Sequence, residues 1–308
     1  MKRMSQSKLI WQSKLVLLIV MPFVAAGVVL QTHWWTTQSA PVAIWTVGLS
    51  LLLGMVVLKL RAATLAAAAA GAAITANLMF STVMFPYKPW QTALVPVLAV
   101  SLLAYIATRL GRVQKERLGT GEKRRGRAAS QVAANLGVAA IASNEVLQSW
   151  LTDTNWFTRV TLAPMPLFAV ALAALAEAAA DTVSSEIGQV LGGRPRMITT
   201  LRQADPGTDG AISLAGTLAG VAAAGIVAAL GTVAMRGDSG MFWISGAGGV
   251  FGLFFDSLLG ATLERRGWLN NDAVNFLSTA SAAAFALGLM AVLPHAGVEQ
   301  FPVIRLTL

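Results

Sequence analysis

The stretch ISLAGTLAGVAAAGIVAALGTV, residues 212–233, contains no charged side chain. It is long enough to cross a bilayer as one α-helix, which takes about 20 apolar residues. Similar stretches recur along the chain, which is 56% hydrophobic and only 12% charged, with a mean hydropathy of +0.65. Soluble proteins carry about 25% charged residues, so this composition excludes a water-soluble protein. The sequence therefore predicts an all-α fold, a polytopic transmembrane helical bundle.

Nine apolar spans can be placed along the chain on this basis. They lie near residues 15–31, 41–58, 62–80, 92–109, 131–150, 162–185, 212–233, 241–263 and 273–293. Nineteen Lys and Arg residues fall in the connections on one side, and four fall on the other: Lys88, Arg159, Arg236 and Arg305. Because cytoplasmic loops carry the excess of basic residues, the amino terminus is predicted inside and the carboxyl terminus outside.

The composition changes near residue 130, which divides the chain into four predicted parts. Residues 1–108 form an N-terminal scaffold of spans one to four, and residues 109–130 form a basic cytoplasmic linker. Residues 131–293 form a catalytic-type part with spans five to nine, and residues 294–308 form a carboxyl-terminal tail. Spans one to four carry almost no polar residues, which indicates a packing or lipid-facing role. The basic linker either binds anionic lipid headgroups or in part neutralises an anionic substrate, and both interpretations stay open.

Several kinds of site are excluded by the residue types present. The chain has no cysteine, so disulfides, thiolate nucleophiles and thiolate metal sites are excluded. Its two histidines, His33 and His295, lie near span ends with no partner at ligand spacing. The net charge of +9 arises in short connections between spans, where membrane topology explains it, so membrane lipids are expected as partners and nucleic acid is not.

Acidic residues within the sixth span are the first indication of a functional site. Glu177, Asp181, Ser184, Ser185 and Gly188 share one helical face, because their spacing follows the helical repeat. Two carboxylates one turn apart repel, so they require a cation, a basic partner or a shared proton. Carboxylate and hydroxyl oxygens without His or Cys suit Mg²⁺. The alternative is a helix end whose acids only meet arginines in the next loop.

Glu186 falls on the opposite side of the same span. If the helix continues, Glu186 lies about 180° from Glu177. We therefore expect Glu186 to pair with Arg194 or Arg196 in the following connection rather than to join the other acids.

That connection contains a glycine turn directly before a helix. Pro206, Gly207, Thr208, Asp209 and Gly210 form the turn, and Ser213 opens the next span. Such a turn exposes backbone N–H groups, and a helix N-terminus offers free donors to an anion. Three nearby arginines, Arg194, Arg196 and Arg202, suit phosphate oxygens. The sequence predicts a phosphate-binding loop, with a plain capped connection as the alternative.

Spans five, eight and nine supply further polar residues. Gly248, Gly252, Asp256 and Gly260 repeat every four residues, which predicts a face of small residues that a neighbouring helix can approach closely. An aspartate between helices needs a partner, so we expect Asp256 to point at the polar centre that contains Asp181. Asn135 in span five and Asn275 in span nine also lie toward the predicted cytoplasmic side, and Ser278 and Thr279 share one helical face with Asn275.

Five short pieces of the sequence resemble a known family. They are ADTVSSEIG (180–188), RMITT (196–200), PGTDGAIS (206–213), FDSLLGA (255–261) and VNFLST (274–279). In these pieces the chain resembles the integral membrane family that includes the plant phytyl-phosphate kinase of the vitamin E pathway. That family is similar to phytol and dolichol kinases and, more remotely, to CTP-using cytidylyltransferases. Asp209, Ala211 and the long basic insertion depart from the family pattern, so the prenyl substrate need not be phytyl.

The resemblance implies a membrane-embedded kinase that transfers phosphate from a nucleotide, CTP foremost, to a prenyl monophosphate at the cytoplasmic face. Asp181 and Asp256 are expected to hold Mg²⁺, with Arg196 as a further catalytic residue. The predicted substrate- and nucleotide-binding residues are Asn135, Glu177, Ser184, Ser185, Glu186, Thr199, Pro206, Gly207, Thr208, Asp209, Gly210, Ser213 and Asn275. Two alternatives stay open: a cation- or proton-coupled transporter and a non-catalytic prenyl-lipid-binding protein.

Overall fold

The structure, a computed structural model, describes residues 9–118, 126–144 and 166–293. Its helices are α1 Ile10–Gln38, α2 Ala40–Lys59, α3 Leu65–Phe80, α4 Leu94–Arg109, α5 Arg112–Leu118, α6 Ala129–Ala142, α7 Pro166–Leu191, α8 Leu214–Ala234, α9 Ser239–Leu259 and α10 Asn271–Val292. A π-helical turn, Gly260–Glu264, extends α9, and a 3₁₀ turn, Pro89–Gln91, precedes α4. Two short strands, β1 Arg196–Met197 and β2 Ala211–Ile212, pair between α7 and α8. The predicted helical architecture is confirmed.

Within the described residues, six helices have the length and apolar composition needed to cross a membrane: α1, α2, α7, α8, α9 and α10. Three further apolar helices, α3, α4 and α6, have 16, 16 and 14 residues. Each predicted span falls on one of these helices, although the parts of spans five and six between residues 145 and 165 lie outside the described residues. The count of nine crossings and the orientation of the termini stay predictions.

Helix α7 forms the centre of the bundle. In the apolar part of α7 that is long enough to cross a membrane, 83% of the residues are buried. This helix packs against α4, α6, α8, α9 and α10. Small residues allow this close packing. A Cβ on Gly249 of α9 would lie 2.7 Å from the Cβ of Ala176, and a Cβ on Gly220 of α8 would lie 2.8 Å from the Ala180 carbonyl. The helix that carries Glu177 and Asp181 is therefore surrounded by protein.

Several connections meet at one end of the bundle. Asn270, before α10, donates from its side chain to the Leu9 carbonyl and to Ser13 at the start of α1. The Arg109 guanidinium, at the end of α4, donates to the Leu60 carbonyl after α2 at 3.0 Å. The seam between the end of α7 and the start of α8 lies at this end too, where a Cβ on Gly188 would lie 3.2 Å from Ser213 Oγ. This end contains the connections that the charge pattern predicts to be cytoplasmic.

Candidate active site at one end of the bundle

Three acidic side chains from α7 and α9 lie together. Asp181 and Asp256 lie side by side within hydrogen-bonding range, and both are half-buried. Glu177, one turn before Asp181, is 1% exposed. Both carboxylate oxygens of Glu177 and the Oδ2 atom of Asp256 have no hydrogen-bond partner among the described residues. Burying an ionised carboxylate without partners costs free energy. This cluster is therefore typical of a site that binds a cation, a proton or a ligand.

Glycine residues on α9 bring the two acidic helices together. A Cβ on Gly252 would contact the Glu177 side chain and would lie 2.8 Å from the Cβ of Ala282 in α10. A Cβ on Gly248 would lie 2.7 Å from the Cβ of Ala173. The four-residue repeat seen in the sequence is thus the surface through which α9 packs on α7 and α10, and it positions Asp256 against Asp181.

Helices α6 and α10 contribute amide and hydroxyl groups beside the acids. Asn275 donates from Nδ2 to Asn135 Oδ1 at 3.2 Å, and Asn135 donates to the Gln131 carbonyl at 2.8 Å. Ser278 lies beside both Glu177 and Asp256 while its hydroxyl donates to the Asn275 carbonyl. Ser278 was predicted on the polar face of span nine but not among the binding residues, although its position three residues after Asn275 was the available signal.

Glu186 does not pair with Arg194 or Arg196, so that expectation is wrong. Its Oε2 atom lies 2.6 Å from Nζ of Lys115, and the two side chains are 18% and 2% exposed. Helix α7 continues to Leu191, which turns Glu186 toward α4 and α5. The Arg196 guanidinium instead donates to the Leu201 carbonyl at 2.9 Å, within its own connection.

The two predicted serines on α7 differ in their surroundings. Ser184 lies against α8, because a Cβ on Gly220 would be 2.9 Å from the Cβ of Ser184. The Ser185 hydroxyl is exposed and donates to the Thr182 carbonyl at 3.1 Å. Ser184 therefore lies in a helix-packing seam, Ser185 bonds within its own helix, and any binding role of the two serines stays a prediction.

The predicted phosphate-binding loop is a hairpin folded over the end of α9. Strands β1 and β2 pair Arg196 with Ile212 and Met197 with Ala211. The turn residues Gly207 and Gly210 have φ values of 79° and 74°, which favour glycine. A Cβ on Gly260 would lie 2.9 Å from the Gly210 nitrogen. Since Gly260 follows Asp256 by about one turn, the hairpin lies next to the acidic cluster.

The remaining predicted loop residues take part in this hairpin. Thr199 is exposed on its surface, and the Thr208 nitrogen donates to the Asp205 carbonyl at 3.1 Å, which closes the turn that contains Pro206. Ser213 caps α8 by accepting from the Gly216 nitrogen at 3.2 Å. Asp209 makes an interaction within the fold. The helix start that was predicted to offer free donors is therefore capped in part by Ser213.

One basic residue of the linker lies beside the acids. Arg127 is close enough to Asp181 for their charges to interact. Its backbone is fixed by two hydrogen bonds of 3.0 Å, from the Thr64 nitrogen to the Arg127 carbonyl and from the Arg127 nitrogen to the Ala62 carbonyl. Arg127 was predicted only as part of the basic linker, because nothing in local spacing relates it to Asp181.

A cavity of about 530 Å³ opens beside this cluster, between α2, α3, α4 and α6. Its inner wall includes Asn135 and also Ala178, the residue after Glu177. Its other lining residues include a basic group and an apolar group, together with Glu116 and hydroxyl-bearing side chains such as Ser101 and Tyr105. The basic group consists of Arg61, Arg109, Arg112, Lys115 and Arg127. Helices that were predicted to serve only packing or lipid contact thus line a ligand-sized space.

Comparison with known proteins places the chain in a family. Residues 48–283 match the family described as integral membrane protein DUF92. The chain belongs to this family. The integral membrane family that the five sequence pieces indicated is thereby confirmed, and no solved structure shows a significant match to the chain.

Relatives of this DUF92 protein occur in archaea, cyanobacteria and plants. An uncharacterized membrane protein of Methanocaldococcus jannaschii is 44% identical over 35% of this chain and 45% of its own length. An uncharacterized membrane protein of Synechocystis is 33% identical over 66% of this chain and 75% of its own length. Protein VTE6, chloroplastic, of Arabidopsis thaliana is 28% identical over 62% of this chain and 56% of its own length. The match thus spans less than half of the first relative and little more than half of the plant protein.

The donor set in this DUF92 protein fits Mg²⁺ bound with substrate rather than a metal held by protein alone. Among the described residues, no group of three or more His, Asp or Glu side chains is arranged to hold a metal ion. Asp181 and Asp256 offer two adjacent carboxylates, and Ser278 offers a hydroxyl nearby. Mg²⁺ commonly takes one or two carboxylates and fills its remaining positions with water and substrate phosphates. Two carboxylates beside a glycine hairpin match that pattern.

Proposed function

We propose that this DUF92 protein is a membrane-embedded phosphotransferase that moves a phosphate from a nucleotide, CTP foremost, to a prenyl monophosphate. The observation that carries the proposal is the meeting of Asp181 and Asp256, from two helices, beside the hairpin that contains Gly207 and Gly210. Phosphoryl transfer needs metal-binding carboxylates and phosphate-binding backbone groups close together. The resemblance to the phytyl-phosphate kinase family supports the same reaction.

Each part of the site has a role in this proposal. Asp181 and Asp256 would hold Mg²⁺, which when bound neutralises charge on the transferring phosphate. The hairpin from Arg196 to Ile212 would bind the nucleotide phosphates through exposed N–H groups. Arg127, beside Asp181, would attract the phosphate of the acceptor and orient it toward the nucleotide. Because the acceptor already carries an ionised phosphate, positioning is the main task of the protein.

A cation- or proton-coupled transporter is the second candidate. The observation that favours it is Glu177, which lies near the middle of α7 with both oxygens buried and unpartnered among the described residues. Acidic residues inside spanning helices are typical of ion pathways. The hairpin against the end of α9 and the neighbouring arginines favour the phosphotransferase, because a transport path does not require them.

Activity measurement on purified protein tests the proposal. The protein in nanodiscs would be incubated with Mg²⁺, a set of prenyl monophosphates and each nucleoside triphosphate labelled on its γ-phosphate. The labelled prenyl diphosphate would then be separated and counted. We expect product in the parent and a loss of about 100-fold or more in Asp181→Asn and Asp256→Asn, since each removes a metal ligand.

Asp238→Asn is the matched control for this experiment. Asp238 lies at the opposite end of α9 and caps it by accepting from the Met241 nitrogen at 2.9 Å, and Asn caps helices equally well. This variant should keep parental turnover. Absence of labelled diphosphate with every nucleotide, together with ion flux by the parent in proteoliposomes, would contradict the phosphotransferase and favour the transporter.

A further inference from the structure

Three arginines from separate connections meet at the mouth of the cavity. Arg61 follows α2, Arg109 ends α4 and Arg127 precedes α6. The Arg109 guanidinium donates to the carbonyl of Leu60, directly before Arg61. The backbone of Arg127 is hydrogen-bonded to Ala62, directly after Arg61. Hydrogen bonds therefore join the three connections that carry these arginines.

The positive charge at the mouth exceeds what the neighbouring acids neutralise. Glu116 is the acidic residue of the cavity lining, and it pairs with Arg112 at 2.9 Å. Glu186 pairs with Lys115. Among the described residues, Arg61 and Arg109 form no ion pair with a carboxylate. An anion with several oxygens fits such a group, because guanidinium groups bind phosphate through paired hydrogen bonds.

Much of the cavity wall below the mouth is apolar, although Thr75, Ser101 and Tyr105 add hydroxyl groups. Its walls include Val57 of α2, Ala68 and Ala72 of α3, and Val97, Val100 and Ala104 of α4. The alanines at positions 68, 72 and 104 leave the space open, since larger side chains would fill it. An occupant therefore needs an anionic head at the arginines and a hydrocarbon tail between the helices.

We infer that this cavity binds a single-chain lipid monophosphate, with the phosphate on Arg61, Arg109 and Arg127 and the tail between α2, α3, α4 and α6. The inference rests on the proposed function for the isoprenoid nature of the tail and for the role of the ligand as phosphate acceptor. Binding itself depends only on the charge and the apolar walls. The N-terminal helices then form the acceptor site and set which tail fits.

The position of the mouth connects the cavity to the acidic cluster. Arg127 interacts with Asp181 on one side and lines the cavity on the other. Asn135, also in the lining, is hydrogen-bonded to Asn275 beside the acids. A phosphate bound at the arginines would therefore lie next to the carboxylates that are proposed to bind Mg²⁺ and nucleotide.

Binding of a prenyl monophosphate in the absence of nucleotide tests whether the arginines bind its phosphate. Tritiated phytyl monophosphate would be titrated into purified protein in zwitterionic nanodiscs with EDTA, which prevents turnover. We expect saturable binding that weakens about tenfold or more in Arg61→Gln and in Arg109→Gln, because each loses charge-assisted hydrogen bonds. Arg236→Gln is the matched control: Arg236 is exposed at the opposite end of the bundle, and its φ of 51° is close to the 55° of Arg61.

A larger side chain in the cavity tests whether the hydrocarbon tail binds there. Ala104→Phe should reduce phytyl monophosphate binding at least about tenfold, whereas Ala222→Phe, on an exposed position of α8, should leave it unchanged. If Ala104→Phe fails to fold, a phytyl-like phosphate with a photoreactive group on its tail replaces it as the probe. Cross-links on residues 65–80 and 94–109 would support the tail site, and cross-links confined to α8 would overturn it.

Competition identifies the class of ligand. Unlabelled prenyl monophosphate should displace the probe, while the prenyl alcohol, inorganic phosphate and phosphatidic acid should each compete at least about tenfold more weakly, because each lacks the head or the single chain. Equal competition by phosphatidic acid would overturn the inference in favour of a membrane-lipid site. Unchanged binding in both arginine variants would also overturn it.

The two proposals fail in different ways. Specific binding that depends on Arg61, Arg109 and Ala104, with no diphosphate formed from any nucleotide, would reject the phosphotransferase and keep the binding site. Diphosphate formation by the parent, with parental binding and turnover in all three variants, would reject the cavity as acceptor site and keep the phosphotransferase.

Discussion

The Nζ atom of Lys115 lies 2.6 Å from the Oε2 atom of Glu186 and joins the linker helix α5 to the end of α7. The lysine is 2% exposed and also donates to the Ala107 carbonyl at 2.7 Å, at the end of α4. A cation at a helix C-terminus is favourable because the free carbonyl groups carry partial negative charge. This one side chain therefore ties α4, α5 and α7 together beside the cavity mouth.

Loss of the buried Lys115 side chain should destabilise the protein. Lys115→Met leaves Glu186 without its cation and the α4 carbonyls without their donor. Removing one partner of a buried pair costs about 3–5 kcal/mol, and the partial exposure of Glu186 places this change at about 2–3 kcal/mol. Unfolding in detergent, followed by circular dichroism with denaturant or heat, measures the difference.

The second ion pair of the same helix is the control. Arg112 and Glu116 lie 2.9 Å apart with side chains 49% and 56% exposed, and such surface pairs contribute about 0–1 kcal/mol. Arg112→Gln should therefore change the unfolding free energy far less than Lys115→Met. Equal effects of the two substitutions would show that the Lys115 pair does not hold α5 in place.

The pair also shows what the sequence could not predict. Two whole predicted spans and part of the linker separate Glu186 from Lys115, and no periodicity connects residues so far apart. The charge count predicted only that the linker is basic, and the following connection offered arginines that were nearer in sequence. The packing of α4 and α5 against this side of α7 decided the partner of Glu186.

The spacing of residues along the sequence was sufficient to predict the contact between α7 and α9. The four-residue repeat of Gly248, Gly252 and Asp256 defines one helical face, and that face packs on α7 and α10 in the structure. The cavity could not be found in this way. Alanine-rich stretches such as residues 65–73 are typical of packing helices, and a cavity arises only where several small side chains from different helices face one another.

Substitution on the packed face of α9 should separate the acidic helices. A Cβ on Gly252 would lie 2.8 Å from the Cβ of Ala282 and would contact Glu177, so Gly252→Val should cost about 1–3 kcal/mol through overpacking. It should also lower turnover, because Asp256 moves away from Asp181. Thermal unfolding and the diphosphate assay measure the two effects.

Gly246→Ala serves as the comparison on the same helix. A Cβ on Gly246 would meet the Cβ of Ala228 at 3.7 Å, an ordinary van der Waals distance, and Ala has the higher helix propensity by about 1 kcal/mol. We expect no loss of stability in this variant. A fall in melting temperature as large as that of Gly252→Val would show that the helices are not held at the described distance.

The orientation of the chain can be tested with single cysteines, because the protein has none of its own. Thr200 is exposed in the hairpin, and Arg236 is exposed in the connection between α8 and α9, at the other end of the bundle. In intact cells an impermeant maleimide should label Arg236→Cys, whereas Thr200→Cys should react only after permeabilisation. The reverse pattern would place the hairpin and the acids outside the cell.

Metal and nucleotide should stabilise the protein through Asp181 and Asp256. A ligand that binds only the folded state adds about 2.7 kcal/mol at 100 times its Kd, so Mg²⁺ with CTP should raise the melting temperature of the parent. Asp181→Asn and Asp256→Asn each remove one of the two adjacent carboxylates, and we expect this rise to be largely lost in both. Differential scanning fluorimetry of the parent and both variants, with and without Mg²⁺ and CTP, measures the effect.

The melting temperatures of the metal-free parent and variants show whether Asp181 and Asp256 form a ligand site or a structural pair. Two carboxylates side by side repel when both are ionised, so replacing either by the neutral amide should leave the metal-free protein as stable as the parent or more stable. If Asp181 and Asp256 instead shared a proton for structural reasons, Asn would destabilise the metal-free protein. An unchanged response to Mg²⁺ and CTP in both variants would exclude a shared metal, and the hairpin would then have to bind nucleotide without these carboxylates.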